Sequence, residues 1–369
     1  MLYNDHPFSD SFCSTMVDDC LGALAEGTVN LVAIPGAGVT FFVRQLAYRS
    51  KDEFISVNSF EMHDFSKAAL YNQLSRKLGL TPAPADHVDL RAIGEALKQR
   101  AGNHKKVVLV FNRFDRLGPI LDQSFYENLH FLKDVTGGML VMMFVTAEPV
   151  IESAGSGLQE LLRLVDKTVY FVGYSTTDLQ EIMQSNGAQD VEPAAYGLSG
   201  GHHALLQILM RCQNLDNALS DPMVELLVKD MYLGLSPKRR KDLDAVATGR
   251  SKSVDPFLTD VGYVVTDQGV SRTFTPLLAE YALRQAQGHL PVRERRLLSL
   301  LRRNLGRVVS KHEIFDAVWR ESDGIASDWA LNALVYRLRR HPAFDSQRYS
   351  IESHKKQGYI LRDHQQKVR

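Results

Sequence analysis

The chain has 369 residues, 44% of them hydrophobic and 23% charged, the balance of a globular protein long enough for two or three cores. Lys and Arg number 43, as do Asp and Glu, but this neutrality hides segregation. From Pro291 to Arg369 there are 17 basic against 9 acidic residues, which points to a polyanionic partner, and no apolar run in the chain is long enough to span a membrane.

In chain order, Val29–Ile34 is a short apolar run ending at Pro35-Gly36-Ala37-Gly38, and Thr40–Tyr48 follows with helical spacing. Glu53–Val57 predicts a strand, and Phe65–Leu78 and Leu90–Ala101 predict helices. Lys106–Phe111 is apolar enough for a strand buried on both faces. Gln123–Asp134 reads as a helix, and Met139–Thr146 and Thr168–Val172 as strands. Strands alternating with helices predict a parallel sheet covered on both sides. Beyond Gly173 the pattern turns helical, at Thr176–Ser185 and Ala204–Asn214. Leu235–Ala247, Phe257–Val265 and Arg272–Ala286 then predict a small helix-rich unit with one hairpin. The expected fold class is α/β, a parallel-sheet P-loop domain over 1–172 with a helical lid over 173–232, followed by two winged-helix domains over 233–288 and 289–369.

A phosphate loop of the form GxxxxGK[ST] turns backbone N–H groups towards phosphates, with a lysine on the β/γ oxygens and a hydroxyl on Mg²⁺. Residues 33–40 keep Gly38 and Thr40 and carry a further Gly36, but Ala33 replaces the first glycine and Val39 the lysine. At the end of the strand that reaches Phe111, where an ATPase carries Asp and then Glu, stand Asn112 and Arg113; Asp115 is expected to point elsewhere in a structural role. Each substitution removes charge stabilisation needed in the transition state, so hydrolysis is not expected. Nucleotide is expected at most to bind, as ATP or ADP without turnover, through Gly36, Gly38, Val39, Thr40 and Asn112. Thr146 reads as a strand-end cap. His202 and His203 read as a helix start or lid packing, because no third ligand accompanies them for a metal.

Pro35–Thr40, Val107–Leu117, Val141–Thr146, Leu198–Leu206, Leu235–Leu243 and Phe274–Tyr281 together make residues 10–285 resemble the bacterial AAA+/STAND group of P-loop ATPases related to origin-binding proteins. The resemblance implies an ATPase fold and a module for self-association or for sensing a protein partner; the departures at Val39, Asn112 and Arg113 argue against activity.

In the basic segment, Leu297–Leu301 is a helical apolar stripe flanked by arginines, and Ser310 with Glu313 forms a capping box opening the helix Lys311–Trp319. After the glycine-containing stretch Ser322–Ser327, the helix Trp329–Arg340 buries Leu331, Leu334, Val335 and Leu338. Its remaining positions, Asn332, Tyr336, Arg337, Arg339 and Arg340, form a basic, amide-bearing front suited to a major groove. Lys355 and Lys356 sit at the tip of a predicted hairpin. Arg295–Leu298, Asn304–Ser310, Ala317–Trp319, Arg337–Arg340 and Gly358-Tyr359 resemble the OmpR/PhoB-type DNA-binding domain of response regulators. That resemblance implies a double-stranded DNA partner, with Asn332, Tyr336, Arg337 and Arg340 in the groove and Lys355 and Lys356 as wing contacts. Trp329 and Leu334 depart from that family's polar positions.

Cys13, Cys20 and Cys212 form neither a disulfide framework nor a CxxC metal set, and the opening Met1–His6 lacks a leader pattern. The expected setting is cytoplasmic and nucleoid-associated. The expected function is a sequence-specific DNA-binding regulator, with a working DNA-dependent ATPase and a protein-binding adaptor as the other readings.

Overall fold

The structure is a computed structural model that describes residues 8–58, 62, 64, 66–81, 89–102, 105–150, 158–187, 192–212, 214–249, 251, 253–267, 269–286, 292–319, 327–341, 344, 346, 349–354 and 357–364. The chain divides into two compact units, Met1–Val246 with Ser251–Leu278, and Ala247–Arg250 with Ala279–Arg369.

The first unit is built on five strands: β1 (Val29–Ala33), β2 (Glu53–Asn58), β3 (Val107–Asn112), β4 (Leu140–Thr146) and β5 (Lys167–Phe171). They pair in the order β2-β3-β4-β1-β5, all parallel. Every residue of β1 and β4 is buried, which is why their sequences run apolar without alternation. Helices α1 (Ser14–Glu26), α2 (Val39–Arg49), α3 (Lys67–Lys77), α4 (Leu90–Arg100), α5 (Gln123–Val135) and α6 (Leu158–Leu164) accompany the strands. Ser66, Asp89 and Asp122 start α3, α4 and α5 by accepting first-turn amides, so those helices begin where the sequence offers an oxygen. Phe111, Phe114, Phe125 and Phe144 meet under one face of the sheet, with the rings of Phe114 and Phe144 4.5 Å apart.

Strand order decides where this unit can hold a ligand. β1 and β4 are neighbours, but the chain leaves β1 for β2 at one edge and leaves β4 for β5 at the other. Connections diverging from adjacent parallel strands open a crevice at the strands' carboxyl ends.

A helical segment follows: α7 (Thr176–Ser185), α8 (Pro193–Ser199), α9 (His203–Leu209) and α10 (Pro222–Gly234). After it come α11 (Pro237–Ala247), α12 (Pro256–Asp260), the hairpin β6 (Val264–Asp267) and β7 (Val270–Thr273), and α13 (Pro276–Ala286). Arg239 of α11 is buried, its guanidinium 3.7 Å over the Phe257 ring and 3.0 Å from Glu148 Oε1 beyond β4. The predicted helix at Ala204–Asn214 starts one residue earlier and ends at Leu209.

In the second unit, α14 (Val292–Arg303), β8 (Val308–Ser310), α15 (Lys311–Val318), α16 (Asp328–Arg340), β9 (Tyr349–His354) and β10 (Gly358–Asp363) form three helices and an antiparallel sheet of order β8-β10-β9. This is a winged helix. Leu297, Leu301, Ile314, Val318, Leu331, Leu334, Leu338 and Leu361 make its core. Leu334 therefore departs towards the inside. Both halves of the Ser310–Glu313 capping box are formed. Gly358 faces Ser310 across the sheet, where a side chain would lie 1.9 Å from the Val309 carbonyl oxygen, so only glycine lets the two strands meet.

Candidate functional site

At the carboxyl ends of the first unit's strands lies a cavity of about 340 Å³. Its wall is the loop from Ala33 to Phe41, with Asn58 after β2, Asn112, Arg113 and Asp115 after β3, Val145–Ala147 at the end of β4, and His203 and Ala204 from α9. Gly36, Gly38, Val39, Thr40 and Asn112 thus share one cavity. Gly38 sits at φ 91° as the cap of α2, in the left-handed region that glycine adopts freely. A Cβ there would lie 2.9 Å from His203 Cβ. The Phe41 amide donates to Gly38 O at 2.9 Å, so Val39 and Thr40 carry the first-turn amides without an acceptor in the helix, at the positive end of its dipole.

The carbonyls of the loop are held from the helical segment. Ala204 N donates to Gly36 O at 3.1 Å, and Tyr174 Oη donates to Gly38 O at 2.7 Å. His202 caps α9, its Nδ1 accepting from Leu205 N, while Nε2 donates to Pro35 O at 2.9 Å. These three bonds fix the loop without any ligand. Burial pushes the His202 ring down to about 4, so both roles belong to the neutral tautomer. The pair His202-His203 thus joins the helical segment to the loop.

Asn30, the second residue of β1, is a site the sequence did not single out. Its Nδ2 donates to Phe144 O and Thr146 Oγ1, at 3.0 and 2.8 Å, and its Oδ1 accepts from Val150 N at 2.9 Å. Thr146 is buried with its hydroxyl engaged on the β1 side. The asparagine therefore shapes the far wall of the cavity.

After β3, Asn112 Nδ2 donates to Ser56 Oγ at 2.6 Å, which ties the amide to β2. Arg113 lines the cavity and adopts φ 53°, one of two non-glycine residues in the left-handed region among those described. Asp115, expected to turn elsewhere, lies on the same wall, because the tight 3-10 turn Phe114–Ile120 that follows Arg113 folds it back. Ser56, Asn58 and Tyr174 carried no local signal; only contacts far along the chain reveal them.

In the second unit, the sequence-selected face of α16 splits into two groups. Trp329 is 79% exposed and Tyr336 56%. With Asn332 and Arg340 they follow one another at helical spacing on the open side, and the Arg340 guanidinium lies 4.8 Å from the Tyr336 ring centroid. Asn332 is also engaged inward, as its Oδ1 accepts from Tyr359 Oη of β10. Arg337 and Arg339 are partnered within the unit. Arg337 Nε donates to Glu294 Oε1 at 2.8 Å, and Arg339 donates from two nitrogens to the Ile351 carbonyl. Glu294 is buried, so Arg337 is its counter-charge. Lys355 and Lys356 lie outside the described residues. Among the described residues no helix is long and apolar enough to cross a membrane.

Residues 285–361 match the family model Trans_reg_C, described as "Transcriptional regulatory protein, C terminal". The match extends over the second unit's winged helix and covers a minor part of the chain. No curated protein matches the chain. Among solved structures, a Walker-type ATPase of Pyrococcus abyssi is 14% identical with a TM-score of 0.46, over 76% of this chain and 99% of its own. The Aeropyrum pernix ORC1 protein in complex with DNA is 12% identical with a TM-score of 0.39, over 95% and 88%. The ORC2 protein of the same organism is 13% identical with a TM-score of 0.40, over 77% and 95%. The C-terminal stretch is similar to transcriptional regulatory proteins, on a winged helix that the structure builds in full register.

Proposed function

We propose that the protein is a sequence-specific double-stranded DNA-binding regulator, and that its cavity-bearing unit binds ATP or ADP without hydrolysing it and serves assembly or the sensing of a protein partner. The observation that carries the DNA reading is the outward face of α16, where Trp329, Asn332, Tyr336 and Arg340 stand on a helix whose other side is packed core. Helices of this kind read base edges in the major groove while neighbouring cations take phosphates. Footprinting the protein on fragments of its own genomic neighbourhood, followed by gel-shift titration, tests it. A protected site and a strong fall of affinity with salt are expected. Equal, weak affinity for every fragment would reject sequence-specific binding.

The absence of turnover rests on Val39, Asn112 and Arg113 at the cavity wall. One observation favours the rival reading of a working ATPase: Asp115 also lines the cavity and offers a carboxylate for a metal ion. Phosphate release, with and without DNA, separates the two. We expect only background release, unchanged by Val39→Lys alone, because the amide at Asn112 and the cation at Arg113 remain. Release that stops on changing Thr40→Ala or Asp115→Asn would establish the ATPase.

A further inference from the structure

The open face of α16 carries an indole that the fold leaves uncovered. Trp329, Asn332, Tyr336 and Arg340 recur at helical spacing, so they share one stripe about 16 Å long. The packed residues Leu331, Leu334, Val335 and Leu338 occupy the other side. Trp329 is 79% exposed and takes no part in that core. Asn332 beside it is half committed. Its Oδ1 accepts from the hydroxyl of Tyr359, a buried residue of β10, which leaves Nδ2 as the group offered outwards. The one carboxylate in the sequence of α16, Asp328, is held by Lys311. The stripe thus presents donors and a large apolar ring with no unpaired anion, which complements a polyanion.

Base edges differ in what they return to such a stripe. In the major groove guanine shows two acceptors, thymine an acceptor and a methyl group, adenine an acceptor beside a donor, and cytosine a donor. An asparagine recognises adenine by donating and accepting together, and here the accepting atom already serves Tyr359. A donor by itself is matched best by guanine. The indole is matched by the C5 methyl of thymine, the apolar group of that groove. Along the helix axis Trp329 and Asn332 are about 4.5 Å apart, against about 3.4 Å between base pairs, so the two side chains meet neighbouring pairs.

We propose that α16 selects a thymine through Trp329 and a neighbouring guanine through Asn332, and that Tyr359 is the positioning residue that sets the amide for guanine. The inference rests on the reading of α16 as a DNA-contacting helix and adds the bases it takes.

Selection of binding sites from a random duplex pool by the full chain, followed by gel-shift titration of the enriched site, tests the proposal. The enriched site should contain a thymine beside a guanine. Replacing that thymine by uracil, which removes the methyl group alone, should weaken binding about fourfold. Trp329→Ala should bind the thymine and uracil duplexes alike, whereas Trp329→Phe should keep part of the difference. Tyr359→Phe releases Oδ1, and selection repeated with that variant should admit adenine at the guanine position. The melting temperature of each variant checks its folding.

An enriched site in which no uracil replacement changes affinity overturns the thymine contact. A Trp329→Ala variant that still tells thymine from uracil places the methyl group away from the indole and overturns it as well. An unchanged preference for guanine in Tyr359→Phe overturns the part given to Tyr359. In each of these cases the protein still binds DNA. Failure to enrich any sequence rejects the DNA reading itself and gives the stripe to a protein partner.

Discussion

The two units handle charge in opposite ways. Around the cavity charge is sparse: Gly38 holds its left-handed cap, three hydrogen bonds fasten the loop carbonyls, and of the lining residues Val39, Asn112 and Arg113 only the last is charged. In the winged helix charge is abundant, but much of it is spoken for. Arg337 neutralises Glu294, Arg339 binds a carbonyl, and Arg307, Lys311 and Arg362 pair with Glu313, Asp328 and Glu352. A count of cations in a sequence overstates those offered to a polyanion, because pairing is a property of the fold.

The comparison breaks most sharply at Asn30. If the cavity wall is a structural scaffold, its buried hydrogen-bond hub must be costly to remove. Asn30→Ala removes the buried bonds that its side chain makes to Phe144 O, Thr146 Oγ1 and Val150 N, and we expect a loss of about 3 kcal/mol. Denaturant unfolding, with hydrogen exchange to localise the weakened strands, reads this directly. A change below about 0.5 kcal/mol would show that the wall repacks freely.

Arg337 and Arg340 sharpen the other half. Both are expected from sequence to face the groove and both are exposed, but Arg337 is paired with the buried Glu294 while Arg340 lies against the Tyr336 ring. Arg337→Ala should destabilise the winged helix by about 1–3 kcal/mol by stranding the buried Glu294 carboxylate. Part of that loss should be recovered in the double variant Arg337→Ala, Glu294→Gln. Arg340→Ala should leave the melting temperature almost unchanged and weaken specific DNA binding by about tenfold. Equal stability losses for the two single variants would erase the distinction. Trp329→Ala should cost about threefold to tenfold in specific affinity with little change in salt slope, because an indole contributes no phosphate neutralisation.

How far these features could be read from the sequence depended on how local their causes are. The buried strands at Val29–Ala33, Val107–Asn112 and Leu140–Thr146 announce themselves, since a strand covered on both faces must be apolar throughout. Ser310 and Glu313 lie three residues apart, so their reciprocal cap is visible in the string. Helix α10 was not visible: it buries Val224, Val228 and Met231 but leaves Met223, Leu226 and Leu233 exposed, and apolar residues on two faces erase the helical period. α1 begins at a left-handed Cys13 with no side-chain cap, so it sends no start signal either. The cavity was half legible. Its glycine loop is contiguous, whereas Tyr174 reaches Gly38 across 136 residues and His202 reaches Pro35 across 167. No periodicity carries information over that distance. The commitment of Arg337 was hidden for the same reason, with Glu294 lying 43 residues upstream on another helix.

The smallest expected effect concerns charge that serves the fold alone. Glu313 closes the capping box on the Ser310 amide and receives Arg307, and this side-chain bond, followed by the Ser310 bonds, holds its carboxyl at about 2. Because the folded value lies below the unfolded one, the unfolded chain binds more protons in between. The stabilisation is therefore present near neutrality and fades as pH falls from about 4.5 to about 2. Removing the cap with Ser310→Ala should cost about 1 kcal/mol near pH 7. Glu313→Gln, which keeps the shape but not the charge, should flatten the contribution of this residue to the acid limb without touching DNA affinity. Unfolding midpoints of the two variants and the unaltered chain, taken in steps across that window, decide the matter. Parallel acid limbs for Glu313→Gln and the unaltered chain would mean that the Arg307–Glu313 pair is only solvated surface. Converging limbs would mean that this ion pair stabilises the winged helix.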